Sequence, residues 1–321
     1  MPENNKLIVI VGPTAVGKTA LAIELGQLIN GEIISADSVQ IYKYLDIGSA
    51  KPTISEQKKI THHLIDIIEP DVPFSVADYQ KLAKVKIKEI NAKNKIPILV
   101  GGTGLYVQSV IDDYDFSKEE GNYEFREQLK RISLEKGNDF LYEKLKKVDP
   151  VSASKIHKND VKRIIRALEV YYKTGKRISE VKDKRYTSSP YDLIFFGLRL
   201  PRDELYRKID LRVDQMIEEG LLEETKKLLN LGYSDKLNSM QSLGYKEMIQ
   251  YLKGELDWDE AISLLKRNTR RFAKRQLTWF KRDKRIIWID KSKNIKEDTY
   301  KMLEIIEGKW DILTNTRNNQ I

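Results

Sequence analysis

Leu7-Ile8-Val9-Ile10-Val11-Gly12-Pro13-Thr14-Ala15-Val16-Gly17-Lys18-Thr19 is the stretch from which the fold follows. Its first five residues form an apolar, β-branched run of the kind that makes a fully buried parallel strand. Residues Gly12 to Thr19 match the phosphate-loop spacing: Gly, four residues, then Gly-Lys-Thr. Beyond them Leu21, Leu25 and Leu28 recur at helical spacing, with Ala22 and Ile23 alongside. Strand, glycine loop and helix therefore come in the order an anion-binding βα unit needs. Gly12 and Gly17 let the backbone curl so that N–H groups converge on an anion. The helix start adds its positive dipole end, Lys18 a mobile charge, and the Thr19 hydroxyl can reach a magnesium ion. The loop is expected to hold a phosphorylated ligand.

The rest of the 321-residue chain can bury a large core as one big domain or two modest ones. Hydrophobic residues at 40% and charged residues at 33% describe a soluble globular protein. No apolar run approaches membrane-spanning length, and Met1-Pro2-Glu3-Asn4-Asn5-Lys6 has no signal-peptide h-region, so a cytoplasmic protein is expected. The absence of cysteine excludes disulfides and thiolate metal sites. His62, His63 and His157 are too few for a histidine-rich metal centre. A net charge of +9 favours a polyanionic partner.

Glu32-Ile33-Ile34-Ser35-Ala36 reads as a second strand, followed by Asp37-Ser38-Val39-Gln40. Ligands of open α/β sheets bind at the carboxyl ends of strands, so Asp37 is expected to face the loop's ligand. The alternative for such an aspartate is a turn or helix-cap role. His62 to Ile68 suggests a further strand, Val76 to Ala92 a lysine-rich outer helix, and Ile96 to Val100 another buried strand. ATP-hydrolysing relatives of this fold usually end that strand with a magnesium-holding aspartate. Here it runs into Gly101-Gly102-Thr103-Gly104, which weakens an ATPase reading.

The expected fold is α/β: a P-loop NTPase-like parallel sheet flanked by helices, with an inserted all-helical domain. Residues 1–112 read as the first part of the core, 113–189 as the insertion, and 190–321 as the return to the core. Within the insertion, Phe125, Leu129 and Ile132 mark one helix, Phe140, Leu141 and Leu145 another, and Val161, Ile164, Ile165 and Leu168 a third. Lys162, Arg163 and Arg166 lie beside that third stripe as RNA contacts or as a solvated face. Asp192 to Leu200 returns to strand character; a helix from Arg202 to Leu229 follows, and Gln241 begins a shorter one. On the last long helix, from Trp258, residues Lys266, Arg267, Arg270, Arg271, Lys274 and Arg275 fall on one half of the wheel. Ala261, Ile262, Leu265, Phe272, Ala273, Trp279 and Phe280 fall on the other. A single-sign stripe of this kind reads as a phosphate-backbone track. Arg285 to Asp290 is expected as a final edge strand, and the end after Asp311 as frayed.

These stretches resemble one family closely, the bacterial-type tRNA dimethylallyltransferases, or tRNA isopentenyltransferases. The resemblance runs through Gly12–Thr19, Ser35–Tyr42, Asp46–Pro52, His63–Asp66 and Gly101–Tyr106, and through Asn159-Asp160 with Arg163 and Arg166–Glu169. It continues through Arg212–Met216, Gln241–Glu247 and Thr269–Phe280, so it spans nearly the whole chain. It implies transfer of a dimethylallyl group from dimethylallyl diphosphate to the exocyclic amine of the adenosine 3′-adjacent to the anticodon, with release of diphosphate. It also implies that the loop binds the donor's diphosphate rather than ATP, and that Asp37 is the base. Asp37, Ser38, Val39, Gln40, Thr103 and Arg126 would contact tRNA, and the base would be everted into a channel. The expected partners are the anticodon stem-loop and the prenyl donor, with Mg2+ as cofactor and a monomeric protein.

The chemistry suits these residue types. An adenine amine is a poor nucleophile, and a carboxylate within reach can accept its proton as the C–N bond forms. Loop N–H groups, Lys18, magnesium on Thr19 and Arg212 can stabilise the departing diphosphate. Two other classes share some of these features. A small-molecule kinase would share the loop and the aspartate but has no use for the cationic stripe. A nucleotide-gated RNA-binding protein would explain the stripe but leave Asp37 idle.

Overall fold

The computed structural model of the protein describes residues 5–112, 114, 123–180 and 189–310. The start at Met1 to Asn4 and the expected frayed end beyond Asp311 lie outside the described residues. The chain divides into two compact units, Met1–Asp113 with Tyr186–Ile321, and Tyr114–Arg185.

The larger unit opens with β1 (Lys6–Val11), α1 (Lys18–Leu28), β2 (Gly31–Ser35), α2 (Ile54–Lys59), β3 (His62–His63), α3 (Val76–Ala92), β4 (Ile96–Gly101) and α4 (Gly104–Ile111). The smaller unit holds α5 (Tyr123–Lys136), α6 (Asn138–Val148), α7 (Pro150–Ala153) and α8 (Val161–Thr174). The chain then returns through β5 (Asp192–Arg199), α9 (Arg202–Glu218), α10 (Leu221–Asn230), α11 (Tyr245–Leu252), α12 (Trp258–Phe280), β6 (Ile287–Asp290) and α13 (Ile295–Lys309). All pairings in the six-stranded sheet are parallel, in the order β3-β2-β4-β1-β5-β6. This is the P-loop NTPase-like architecture, with β1 and its loop at the centre.

Alternation along the strands explains why the sheet is covered on both faces. Ile8 and Ile10 of β1 join Ile98, Ile194 and Phe196 beneath α1 and α13. Leu7, Val9 and Val11 join Ile34, Leu99 and Phe195 beneath α3 and α4. Helix starts carry their own signals: the side chains of Ser75 and Asp78 cap α3 reciprocally, and those of Asp257 and Glu260 cap α12. A separate cluster built from Leu221, Met240, Tyr245, Met248 and Leu265 joins α9 to α12 around Ile41 and Leu45. In the smaller unit Leu129, Leu141, Leu145, Ile164 and Leu168 form an independent core.

Several sequence expectations need correction. The strand expected from His62 to Ile68 stops at His63, because Leu64 and Asp66 take positive φ (61° and 56°), which a strand cannot hold. Helix α3 is docked as well as solvated: Tyr79, Ala83, Ile87 and Ile90 are buried while Lys81 and Lys88 face out. The single helix expected from Arg202 to Leu229 breaks at Gly220, whose φ of 98° ends α9 and starts α10. The helix expected to begin at Gln241 begins at Tyr245, after Gly244 at φ 93°. Helix α13 has no counterpart in the sequence reading, yet its Met302, Leu303 and Ile306 close the core beside α1.

Two glycine replacements should separate steric need from mere occurrence. A Cβ at Gly101 would lie 2.1 Å from the Ala36 carbonyl oxygen, whereas one at Gly308 meets nothing within 4 Å. Gly101→Ala should lower unfolding stability by about 2–3 kcal/mol, and Gly308→Ala should raise it by about 0.5 kcal/mol. Denaturant titrations of both variants check this, and equal effects of the same sign would contradict it.

Candidate active site

The loop after β1 is curled by three residues at positive φ: Gly12 at 152°, Ala15 at 63° and Gly17 at 93°. Gly12 is held close to the sheet, since a Cβ there would lie 2.8 Å from the Leu198 carbonyl oxygen on β5. Gly17 is the N-cap of α1 and offers no side-chain cap. Among the described residues, the N–H groups of Ala15, Val16, Gly17, Lys18 and Thr19 have no hydrogen-bond partner. An uncapped helix start beside open amides is an arrangement suited to an anion.

Two cations adjoin it. Lys18 Nζ donates to the carbonyls of Gly12 (3.1 Å) and Pro13 (2.8 Å), which folds the side chain back over the loop. Burial, and then the charge of Arg212, push its ammonium down to about 8, against the pull of Asp37. Arg212, from α9, is half-buried, and burial lowers its pKa while Asp37 opposes the shift. Among the described residues it forms no hydrogen bond or ion pair. A half-buried guanidinium with no ion-pair partner among the described residues is available to an incoming anion.

Asp37 follows β2 and takes the turn role considered for it. Its Oδ1 accepts from the N–H groups of Val39 (2.8 Å) and Gln40 (3.4 Å), which fixes the carboxylate's direction. Oδ2 has no hydrogen-bond partner among the described residues. The neighbouring turn is tied in place. Thr103 Oγ1 accepts from the Ser38 N–H at 3.1 Å, and the Thr103 N–H donates to the Ala36 carbonyl at 3.2 Å. The second glycine turn thus fills the position where a hydrolase would carry a carboxylate, and buttresses Asp37 instead. Gln40 spans from Ser35, whose hydroxyl it accepts at 2.9 Å, to the Ala50 carbonyl at 3.1 Å.

The expected cationic stripe on α12 is only partly free. Lys266 pairs with Asp214 at 2.6 Å, and Arg270 pairs with Asp210, both carboxylates on α9. The single-sign reading therefore misses acidic neighbours supplied by another helix. Arg271, Lys274 and Arg275 remain exposed and make no ion pair among the described residues. In the smaller unit Arg126 grips buried Glu169 through two bonds of 2.8 and 2.9 Å, and Arg166 adds a third at 2.7 Å. Lys162 and Arg163 stay exposed, the latter 3.3 Å from Asp160.

Two residues escaped the sequence reading. Buried Gln276 of α12 accepts from the Thr14 N–H (2.8 Å) and donates to the Gly102 carbonyl (3.1 Å). Its signal was an amide standing on the apolar half of the helix, between Ala273 and Phe280. Glu224 of α10 accepts the N–H groups of Ile47 (3.0 Å) and Gly48 (3.3 Å) and the Tyr245 hydroxyl (2.6 Å). It closes the loop that leads away from Asp37; no local pattern announced it.

Comparison with known proteins gives one consistent result. A family model described as IPP transferase matches residues 40–283. The chain is similar to a tRNA dimethylallyltransferase of Carboxydothermus hydrogenoformans, 56% identical over 92% of this chain and 94% of that protein. It is also similar to one of Bacillus cytotoxicus, 48% identical over 98% of each. Among solved structures, the tRNA isopentenylpyrophosphate transferase of Bacillus halodurans superposes with a TM-score of 0.73 at 45% identity, covering 95% of this chain and 96% of the other. A eukaryotic dimethylallyltransferase acting on tRNA gives 0.79 at 32% identity, covering 94% of this chain and 78% of the other.

The electrostatics of the loop provide a test that needs no relative. Lys18 in the free protein loses its proton near pH 8, and a bound anion would raise that pKa. The charge that Lys18 contributes to binding is therefore complete below about 8 and fades as the pH rises past it. Affinity for inorganic diphosphate should exceed that of Lys18→Met most at neutral pH, and the advantage should shrink above about pH 8. Calorimetric titrations across the range check it. An advantage that stays constant to about pH 10 would contradict the placement of Lys18.

Proposed function

The chain belongs to the IPP transferase family and its activity is the prenylation of tRNA; on that footing we propose how its residues divide the work. The donor is dimethylallyl diphosphate, and the acceptor is the exocyclic amine of the adenosine 3′-adjacent to the anticodon. The open amides of residues 15–19, with Lys18 and Arg212, take the diphosphate. Asp37, directed by Val39 and Gln40 and open at Oδ2, accepts the amine proton as the C–N bond forms. The observation that carries this reading is the convergence of an uncapped anion loop, two desolvated cations and one oriented carboxylate.

Charge bookkeeping supports prenyl rather than phosphoryl transfer. The allylic carbon tolerates cationic character, so the electrostatic demand falls on the leaving diphosphate, where the cations stand. A kinase would need a carboxylate for magnesium at the end of β4, and the chain has Gly101-Gly102-Thr103 there. Magnesium nonetheless fits the residues present. The Thr19 hydroxyl has no partner among the described residues. No group of 3 or more His, Asp or Glu among them could hold an ion unaided, so diphosphate oxygens would complete its coordination. When bound, the ion would neutralise part of the leaving group's charge.

For RNA, Arg271, Lys274 and Arg275 of α12 are the phosphate contacts, with Lys162 and Arg163 on the smaller unit. Arg126 and Arg166 can reach RNA only from within their Glu169 cluster. Extracting a base from its stack costs a few kcal/mol, which phosphate contacts offset. Among the described residues no helix is long and apolar enough to cross a membrane. A monomer acting in the cytoplasm completes the proposal.

Incubation with dimethylallyl diphosphate and an anticodon stem-loop, followed by mass analysis of the RNA, tests the assignment. The wild type should add one dimethylallyl mass. Asp37→Asn should lose about 10²–10⁴-fold in single-turnover rate while donor and RNA affinities change only a few-fold. A rate near wild type would remove Asp37 from the mechanism. Separately, Arg271→Ala with Lys274→Ala should reduce the slope of log affinity against log salt by about two. Lys266→Ala, which removes a cation already paired with Asp214, should leave that slope nearly unchanged. Equal slopes in all three proteins would return the stripe to an ordinary solvated face.

A further inference from the structure

Buried Gln276 is the one side chain that α12 sends to both loops of the site. Its carbonyl end holds the Thr14 N–H in the anion loop, and its amide end holds the Gly102 carbonyl in the second glycine turn. The fit is close at that second end: a Cβ at Gly102 would lie 2.1 Å from Gln276 Nε2. From Gly102 the connection continues through Thr103, whose Oγ1 accepts the Ser38 N–H at 3.1 Å, next to Asp37. One amide therefore spans the two halves of the reaction, the loop that holds the leaving group and the strand end that holds the base.

We propose that Gln276 is a positioning residue that fixes the distance between the diphosphate loop and the Asp37 carboxylate. It also turns the Thr14 amide away from the anion, so that the open amides begin at Ala15. The proposal rests on the functional reading above, with Asp37 as base and the loop as diphosphate site. Gln276 itself touches neither substrate in this account. Its contribution is geometric, and a displacement of about 1 Å between reacting groups can cost 10²-fold in rate.

The chemistry of the amide makes the role separable from simple structural support. Only a group that both accepts and donates can satisfy Thr14 and Gly102 together. Gln276→Met keeps the length and loses both bonds. Gln276→Glu keeps the bond from Thr14, but its ionised form sets a carboxylate oxygen against the Gly102 carbonyl. Its protonated form regains a donor there, and burial favours that form as pH falls.

The test compares single-turnover rates at saturating donor and stem-loop, as ratios to wild type at each pH. Melting temperatures accompany each variant. Gln276→Met should be slowed about 10- to 100-fold at every pH, with inorganic diphosphate affinity within a few-fold of wild type. Gln276→Glu should be slowed as much at high pH and recover toward wild type as the pH is lowered. A Gln276→Met rate within threefold of wild type, or a Gln276→Glu ratio that does not change with pH, would overturn the role. The wild-type arm reads the functional assignment independently: a wild type that adds no mass to the RNA refutes that assignment. In that event, diphosphate affinity lost in parallel with the melting temperature would overturn the positioning role as well.

Discussion

A loop proposed to hold an anion must keep its amides unpaired, and the larger unit is arranged around keeping them so. The amides of residues 15–19 face no backbone or side-chain acceptor among the described residues. Left alone, such a turn would relax toward the nearest carbonyl. Three features prevent this. Gly12 is pressed against β5, where no larger residue fits, and Gly17 holds the left-handed conformation that starts α1 without a cap. The Thr14 amide is taken by Gln276, which anchors the loop at its first flexible point.

The same loop explains the cations. Lys18 and Arg212 both lose hydration, and the charge of Arg212 lowers the Lys18 pKa further. Asp37 offsets part of that cost across the site. An incoming diphosphate would compensate both cations. Much of the binding energy can therefore come from relieving a repulsion that folding has already imposed. Asp37 has one oxygen committed to turn amides and the other open.

Local signals were legible in the sequence where a single segment carries them. β1, its glycine loop and α1 are written into consecutive residues, and the continuous apolar run of β4 leads directly to Gly101-Gly102-Thr103. Helix α3 is bounded by its own capping pair. What could not be read is what depends on two distant segments meeting. The pairing of Arg270 with Asp210 and of Lys266 with Asp214 needs α9 beside α12, so the stripe looked freer than it is. The grip of Arg126 and Arg166 on Glu169 likewise joins α5 to α8. Gly220 and Leu64 broke regular elements through positive φ, which hydrophobic periodicity does not register. Gln276 was hidden differently: an amide on an apolar face is visible, but its partners, 262 and 174 residues away, are not.

The central claim is that this loop holds the diphosphate of a prenyl donor and releases it when the carbon chain passes to RNA. The most direct measurement is the stoichiometry of diphosphate released to dimethylallyl gained by an anticodon stem-loop, in a reaction with donor and magnesium but no ATP. The account predicts one diphosphate per dimethylallyl group, with no orthophosphate formed. Orthophosphate production that requires ATP and is stimulated by the RNA, with no gain in RNA mass when the donor is supplied, would contradict it.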